Sequence, residues 1–276
     1  MVQTITSLHN PTIKNLVKLR QRRERDRQKL LLIDGARALR LALHNTFPLH
    51  TIYFAADVAQ THADLLQRAR TVGVTLQEVT TTVFHKIGYG DNPDGVLGVA
   101  SQPSVDLAAL PETALPLYLV TEGLEKPGNL GAILRSADAA GVTGLMVCDS
   151  RTDLWNPNVV HASQGAFCTV PIALASAPEA LAWLRQHHIQ ILVAMPVASQ
   201  SYTAIDLRLP SALVVGAEHA GLSPIWHSEM PIRIPMAGQV DSLNVAQASS
   251  ILLFEAVRQR HQGRSMDVLP GDSVLH

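Results

Sequence analysis

Six short apolar segments in the second half of the chain constrain its fold more than any other feature. Their length and their bounding glycine and proline residues are typical of buried strands. The segments are LYLVTEG (117–123), GLMVCD (144–149), TVPI (169–172), IQILVAM (189–195), ALVVGAE (212–218) and PIRIPM (231–236). Helical patterns follow at about 129–140, 157–165, 178–188, 221–229 and 243–261. Apolar strands that alternate with helices predict a parallel sheet covered on both faces, and therefore an α/β domain.

The first half shows a similar but weaker alternation. Its apolar runs are LLLI (30–33), TIYFA (51–55), VTLQEV (74–79) and GVLGVAS (95–101), with helical patterns at about 35–45 and 61–72. This predicts a smaller α/β domain over residues 1–101. Residues 102–116 contain three prolines and no clear period, so we expect a linker there. The larger domain is expected over 117–262, and a loose tail over 263–276.

Composition excludes several classes of protein. Hydrophobic residues make up 47% of the 276 residues, which is enough for a core in each of two domains. Aromatic residues make up 4%, so binding of nucleic acid by stacking alone is not the first expectation. Cys148 and Cys168 lack the spacing of a zinc site, and the histidines are scattered. No apolar run approaches the ~20 residues of a membrane span. We therefore expect a cytoplasmic protein without a metal or a membrane partner.

Charge is distributed unevenly along the chain. Residues 1–40 carry ten Lys and Arg against three Asp and Glu, whereas the rest carries twelve against twenty. Most of the excess lies in KNLVKLRQRRERDRQK (14–29). Such a cluster indicates either a polyanionic partner or a solvated helix face, and the run itself does not distinguish them. If the partner is RNA, the predicted contacts are Lys14, Lys18, Arg20, Arg22, Arg23 and Arg25.

The ordinary nucleotide-binding motifs GxGxxG and GxxxxGK[ST] are absent. Instead, three turns lie at the carboxyl ends of predicted strands, where open α/β sheets bind ligands. The first is EGLEKPGNLGAILRSADAAG (122–141). Asn129 stands at a helix start, and Arg135 follows two turns later. An ordinary surface pair with Asp138 would also explain Arg135.

The second and third turns are VVGAEHAGLS (214–223) and IPMAGQVDSLNVAQASS (234–250). Glu218 in the second turn would either interact favourably with a helix dipole, or bind a substrate or the arginine of the first turn. Ser242 and Asn244 open the last helix. Capping alone explains Ser242, but Asn244 inside the first turn is less expected of a plain cap. Each turn by itself is weak evidence of a site.

Together the three turns resemble the ordered motifs of the SpoU/TrmH family of RNA ribose methyltransferases, in the SPOUT superfamily. The resemblance covers about 117–262 and is most specific in IPMAGQVDSLNVAQASSILLFEAVRQR, with NPNVVHASQGAFCTVPI as the connecting stretch. SLHNPTIKNLVKLR and NPDGVLGVA resemble parts of the family's smaller RNA-binding domain. One departure is Thr121-Glu122, where an aspartate is common.

The resemblance implies a trefoil-knotted domain that forms a homodimer and transfers a methyl group from S-adenosylmethionine to a ribose 2′-hydroxyl. It assigns Gly216, Ile234, Met236 and Leu243 to the S-adenosylmethionine pocket. It assigns Asn129, Arg135, Glu218, Ser242 and Asn244 to the reaction centre. An arginine stays protonated, so we expect Arg135 to clamp a phosphate and stabilise the developing oxyanion. Glu218 would orient it or take up the proton.

Three alternatives remain open at this point. The substrate is expected to be ribosomal RNA because of the two-domain layout, with transfer RNA as the alternative. A SPOUT enzyme that methylates a base would share the fold. A non-catalytic RNA-binding or ribosome-assembly protein on the same fold is the rival from another class. Arg135, Glu218 and the SLN turn argue against that rival, and cofactor binding would decide.

Overall fold

A computed structural model describes residues 4–89, 94–217 and 221–261 of the chain. The described helices are α1 (Pro11–Lys18), α2 (Arg22–Gln28), α3 (Ala36–His44), α4 (Ala63–Thr71), α5 (Thr81–Ile87), α6 (Pro127–Ala139), α7 (Pro157–Ala162), α8 (Ala177–Gln186) and α9 (Val245–Arg260). The strands are β1 (Leu30–Asp34), β2 (Leu49–Ala55), β3 (Thr75–Val79), β4 (Val96–Ser101), β5 (Leu117–Glu122), β6 (Gly144–Cys148), β7 (Ile172–Ala175), β8 (Gln190–Ala194), β9 (Ser211–Gly216) and β10 (Met230–Ile232).

The chain forms two compact units that are not continuous in sequence. Within the described residues, the first unit contains 4–103 and 153–169, and the second contains 104–152 and 170–261. The domains expected from the sequence are continuous, so the difference concerns the segment 153–169. A pattern along the sequence cannot place such a segment, because it reflects the order of residues and not their contacts in space.

The first unit is built on a four-stranded sheet with the order β1-β4-β2-β3. Strand β4 runs antiparallel to β1 and β2, while β2 and β3 are parallel. Helix α1 begins with a typical N-terminal sequence: the Asn10 side chain accepts a hydrogen bond from the Thr12 N–H, and Pro11 occupies the first turn. Ile13 and Leu16 of α1 are buried in the same core as Phe84 and Ile87 of α5.

The segment 153–169 packs within the first unit, where α7 lies against β1. Val159 and Val160 are its buried residues. Gly165 has a φ of +94°, and a Cβ there would lie 2.7 Å from Leu41 Cδ1, so only glycine fits. Phe167 meets Phe47 edge-on, with 5.4 Å between ring centres. These contacts explain why the segment belongs to this unit.

The second unit contains a six-stranded sheet with the order β10-β8-β9-β5-β6-β7. Every pairing in it is parallel, which confirms the predicted α/β fold. All residues of β5 and β6 are buried, as expected for central strands covered on both sides. The trefoil knot that the resemblance implies stays a prediction.

Several predicted helix boundaries in this unit differ from the structure. Helix α6 begins at Pro127 with Lys126 as its N-cap, so Asn129 lies inside the first turn and not at the helix start. The helix expected over 221–229 is only a 3₁₀ segment, Pro224–Ser228, and the last helix begins at Val245, not at 243. In the described part of the chain, no helix is long and apolar enough to cross a membrane. The same residues contain no group of three or more His, Cys, Asp or Glu that could hold a metal ion.

Candidate active site

A cavity of about 160 Å³ opens in the second unit at the carboxyl ends of β8, β9 and β10. This is the edge at which parallel α/β sheets bind ligands. All four residues that the sequence analysis assigned to the cofactor pocket line it, and Ser242 lies in the same wall: Gly216, Ile234, Met236, Ser242 and Leu243. The remaining lining is mainly apolar and includes Met195, Leu222, Val245 and Ala248. Residues from four separate stretches of sequence therefore meet at one concave surface.

Gly216 ends β9 at a point where the chain turns back on itself. A Cβ at Gly216 would lie 2.6 Å from the carbonyl carbon and oxygen of Gly221, so a larger residue would displace the loop. Ala217 and Gly221 form an isolated antiparallel bridge that closes this turn. Glu218, the predicted reaction-centre carboxylate, lies between them and outside the described residues.

Glu122 holds the far side of the same turn. Its carboxylate, buried at the end of β5, accepts the Ser223 N–H at 2.8 Å and the Ser223 hydroxyl at 2.6 Å. The sequence analysis noted Glu122 only as a departure from the family pattern. The sequence did contain a sign of its role. Glu122 directly ends a buried strand, and a buried carboxylate needs hydrogen-bond donors nearby. Glu122 therefore positions the loop whose Gly221 and Leu222 line the cavity.

Asn244 joins α9 to α6 beside the cavity. Its Oδ1 accepts the Ala246 N–H at 2.9 Å, and its Nδ2 donates to Asn129 Oδ1 at 3.2 Å. Two predicted reaction-centre residues are thus in direct contact. Farther along, the hydroxyls of Ser136 and Ser250 lie 2.7 Å apart and link the same two helices.

The cap of α9 is Asn244, and the expectation that capping explains Ser242 is wrong. Ser242 is exposed, and its hydroxyl donates to Asp241 Oδ1 at 3.4 Å. The helix starts two residues later than the pattern suggested, so the first-turn N–H groups meet Asn244 instead. This leaves the Ser242 hydroxyl in the cavity wall.

Arg135 lies on α6, six residues after Asn129, and is exposed to solvent. The opposite face of α6 is buried and includes Leu130, Ile133 and Leu134. The packed face fixes the helix, and the guanidinium group is left accessible to a ligand.

Five of the six predicted RNA-contacting residues are exposed, and one is buried. Lys14, Lys18, Arg22 and Arg23 are exposed on α1 and α2 of the first unit. Arg20 is exposed as well, but its guanidinium donates to the carbonyls of Lys86 at 3.0 Å and Gly88 at 2.6 Å.

Arg25 is the exception and corrects the prediction. It is 2% exposed, it pairs with Asp153, and it donates to the carbonyls of Leu19 at 2.8 Å and Arg20 at 2.7 Å. Its charge is used inside the first unit, so it cannot contact a phosphate. A buried arginine within a basic run cannot be recognised from composition, because its partner Asp153 is far away in sequence.

Comparison with known proteins identifies the class. The SpoU rRNA methylase family matches residues 116–254, and the MRM3-like substrate-binding domain matches residues 10–98. The chain belongs to the SpoU rRNA methylase family, as its resemblance predicted.

Individual relatives extend over nearly the whole chain. A Synechocystis protein named as an uncharacterised tRNA/rRNA methyltransferase is 34% identical over 262 residues, which are 94% of this chain and 95% of the relative. A 23S rRNA (uridine-2′-O)-methyltransferase of Streptomyces viridochromogenes is 30% identical over 90% of this chain and 89% of its own. A 23S rRNA (guanosine-2′-O-)-methyltransferase of Xylella fastidiosa is 38% identical over 71% of this chain and 83% of its own.

Solved structures agree with this assignment. An RNA 2′-O ribose methyltransferase superposes with a TM-score of 0.80 at 39% identity, and covers 94% of this chain and 99% of its own. An AdoMet-bound rRNA methyltransferase from Sinorhizobium meliloti has a TM-score of 0.84 at 31% identity, over 93% of this chain and 98% of its own.

Proposed function

We propose that the chain transfers a methyl group from S-adenosylmethionine to a ribose 2′-hydroxyl of ribosomal RNA. One observation carries the proposal: the predicted cofactor residues line a single cavity at which α9 begins, with its N-cap Asn244 bonded to Asn129. The relatives named as 23S rRNA 2′-O-methyltransferases support the ribosomal substrate over transfer RNA.

The cavity suits S-adenosylmethionine by its chemistry. Ile234, Met236 and Leu243 provide apolar walls for a purine ring, while Asp241 and Ser242 add polar groups at the same surface. When bound, the cofactor supplies a methyl group on a positively charged sulfur that leaves as a neutral thioether. The protein must therefore contribute position and electrostatics.

Arg135 is proposed to hold the acceptor nucleotide. Its guanidinium is always protonated, so it binds the phosphate next to the reacting ribose and stabilises negative charge as the 2′-hydroxyl loses its proton. Val245 and Ala248 of α9 line the cavity, and Asn244 bonds to Asn129 on the helix that carries Arg135. This chain of contacts holds Arg135 in a defined position relative to the cofactor. Glu218 is proposed to orient Arg135 or take up the proton.

RNA is proposed to bind the exposed basic residues of α1 and α2, namely Lys14, Lys18, Arg22 and Arg23. Phosphate contacts of this kind give affinity without sequence preference. A homodimer through the second unit, a cytoplasmic location and the trefoil knot stay predictions. Phe254, which is 47% exposed on α9, is proposed as an apolar contact in that homodimer.

The experiment that tests this function supplies labelled S-adenosylmethionine with purified ribosomal RNA or purified transfer RNA. We expect the label in ribosomal RNA, strong loss in Asn244→Ala, and retention in Ser176→Ala, which removes the N-cap of α8 in the same unit. Label in transfer RNA alone would contradict the substrate assignment. Absence of cofactor binding would favour the non-catalytic alternative.

A further inference from the structure

A second group of chemically active side chains lies in the first unit. Asp34 ends β1, Tyr89 follows α5, and His161 lies on α7. Asp34 and Tyr89 line a small cavity of about 10 Å³ together with Arg20, Pro157 and Val160. We call these residues the Asp34 cluster. The site in the second unit uses none of them.

The carboxylate of Asp34 has unused capacity to accept hydrogen bonds. Among the described residues it accepts one, from the Tyr89 N–H at 3.3 Å, whereas a carboxylate can accept about four. The pKa of Asp34 is raised to about 6, chiefly by burial and to a smaller extent by Asp94, although the Tyr89 N–H, His161 and Arg20 each lower it. A desolvated carboxylate with one long hydrogen bond gains most from a ligand that donates two.

Two rings stand beside this carboxylate. The rings of Tyr89 and His161 have centres 5.3 Å apart and planes inclined at 46°. His161 is exposed and Tyr89 is half-buried, so both can meet a planar ligand. The cavity itself has room for about one water molecule or one amino group, since a water needs roughly 10–15 Å³. A base must therefore lie at the mouth of the cavity, with only its hydrogen-bonding edge facing Asp34.

We propose that the Asp34 cluster binds one unpaired guanosine of the substrate RNA. Guanine carries two adjacent donors, N1–H and the 2-amino group, which match the two oxygens of a carboxylate. Its ring would stack on Tyr89, which lines the cavity, with the inclined ring of His161 beside it, as unpaired bases stack on aromatic side chains. Arg20, which lines the same cavity, and the exposed Lys18 of α1 supply positive charge for the phosphates. This inference depends on the proposed RNA substrate and adds a base preference to it.

The test measures binding of the full chain to labelled nine-residue RNAs by fluorescence anisotropy. The RNAs are all uridine except for a central guanosine, inosine, adenosine or uridine. We expect the guanosine RNA to bind about tenfold more tightly than the uridine RNA. Inosine lacks the 2-amino group but keeps N1–H, so it should fall between them.

Single substitutions test whether Asp34 and Tyr89 are the residues that bind the guanosine. Asp34→Asn should reduce the guanosine preference to within about twofold, as expected when a charge-assisted pair is lost, and should leave affinity for the uridine RNA unchanged. Tyr89→Ala should weaken binding of every RNA by roughly fivefold or more, the usual loss of one stacked base. Asp57→Asn, an exposed carboxylate of the same unit, is the matched control and should behave as wild type.

Equal affinity of the wild type for guanosine and uridine RNAs would overturn the proposal, and so would a preference that persists in Asp34→Asn. Thermal melting checks that each variant is folded. Asp34→Asn removes a charge that burial disfavours, so it should melt no lower than wild type. Methyl transfer to ribosomal RNA is measured in parallel. Transfer without guanosine preference refutes only the Asp34 cluster, whereas absence of transfer refutes the proposed function.

Discussion

Arginine plays opposite roles at two positions of this chain. Arg135 is exposed on α6, whereas Arg25 is enclosed and bonded to Asp153 and two carbonyls. The first is placed to meet a ligand, and the second stabilises the first unit. Substitution at each position therefore has a different expected result.

Replacing Arg135 by lysine keeps the charge but removes the planar pair of donors. We expect turnover to fall by about 100-fold or more, as for loss of an oxyanion donor, while S-adenosylmethionine binding is unchanged. Steady-state methyl transfer and calorimetric cofactor binding measure the two effects. Arg208→Lys is the control, since Arg208 is an exposed arginine paired with Asp206 in the same unit. Near-normal turnover in Arg135→Lys would show that a bidentate clamp is the wrong mechanism.

Replacing Arg25 by alanine leaves the Asp153 carboxylate and two carbonyls without their partner. Breaking a buried ion pair in this way typically lowers the free energy of unfolding by about 3–5 kcal/mol. Urea unfolding measures the change. Arg23→Ala, at an exposed position of the same helix, should change it by no more than about 0.5 kcal/mol. If the two variants unfold alike, Arg25 is not a structural residue.

The sequence identified most side chains of the candidate site but not their contacts. Asn129 and Asn244 are 115 positions apart, so no local pattern shows that they bond. The family motifs placed both in one site. Glu122 was missed because its partner Ser223 is 101 positions away and because its own position departs from the family pattern.

Helices α1 and α2 carry the exposed basic residues, and the salt dependence of RNA binding tests their role. Changing Arg22 and Arg23 to alanine should flatten the slope of log K against log salt by about 1.4–1.8, from about 0.7–0.9 for each lost phosphate contact. Filter binding of ribosomal RNA fragments over a salt series measures this slope. The double variant Arg68→Ala, Arg70→Ala on α4 removes the same charge from the same unit. If both double variants show equal slopes, the basic run is only a solvated helix face.

Helix α9 is anchored at its end by Arg260. Its guanidinium donates to the carbonyls of Leu207, Leu115, Pro116 and Leu209 at 2.8–3.0 Å. Arg260→Ala should lower the free energy of unfolding by about 2–3 kcal/mol, because these carbonyls lose a charged donor. Arg208→Ala removes only an exposed ion pair and should leave the free energy of unfolding nearly unchanged. Equal losses in urea unfolding would exclude an anchoring role for Arg260.

Elements with strong periodicity were predicted well, and short ones were not. Apolar runs located most strands because buried strands need continuous apolar sequence. The run TVPI (169–172) is the exception, since it shares only Ile172 with β7 (Ile172–Ala175). Residues 221–229 were misassigned because Pro224 starts only a 3₁₀ segment. Helix α5 was missed because it spans seven residues, Thr81–Ile87, too few for a clear helical period.

At the scale of the whole molecule, sequence order and spatial order diverge. The segment 153–169 lies inside the range matched by the SpoU family and yet packs in the first unit. Fold class and family were predictable because strand pattern and motifs are local. The discontinuous division was not, because it depends on contacts such as Arg25 with Asp153.

The central claim is that the methyl group goes to a ribose oxygen and not to a base. A 2′-O-methyl group blocks attack of that oxygen on the adjacent phosphate, so the linkage survives alkali. The decisive measurement is therefore alkaline hydrolysis of ribosomal RNA labelled by this protein from S-adenosylmethionine. The proposed function predicts that the label appears in alkali-resistant dinucleotides. Label in mononucleotides would show that the acceptor is a base and would contradict the claim.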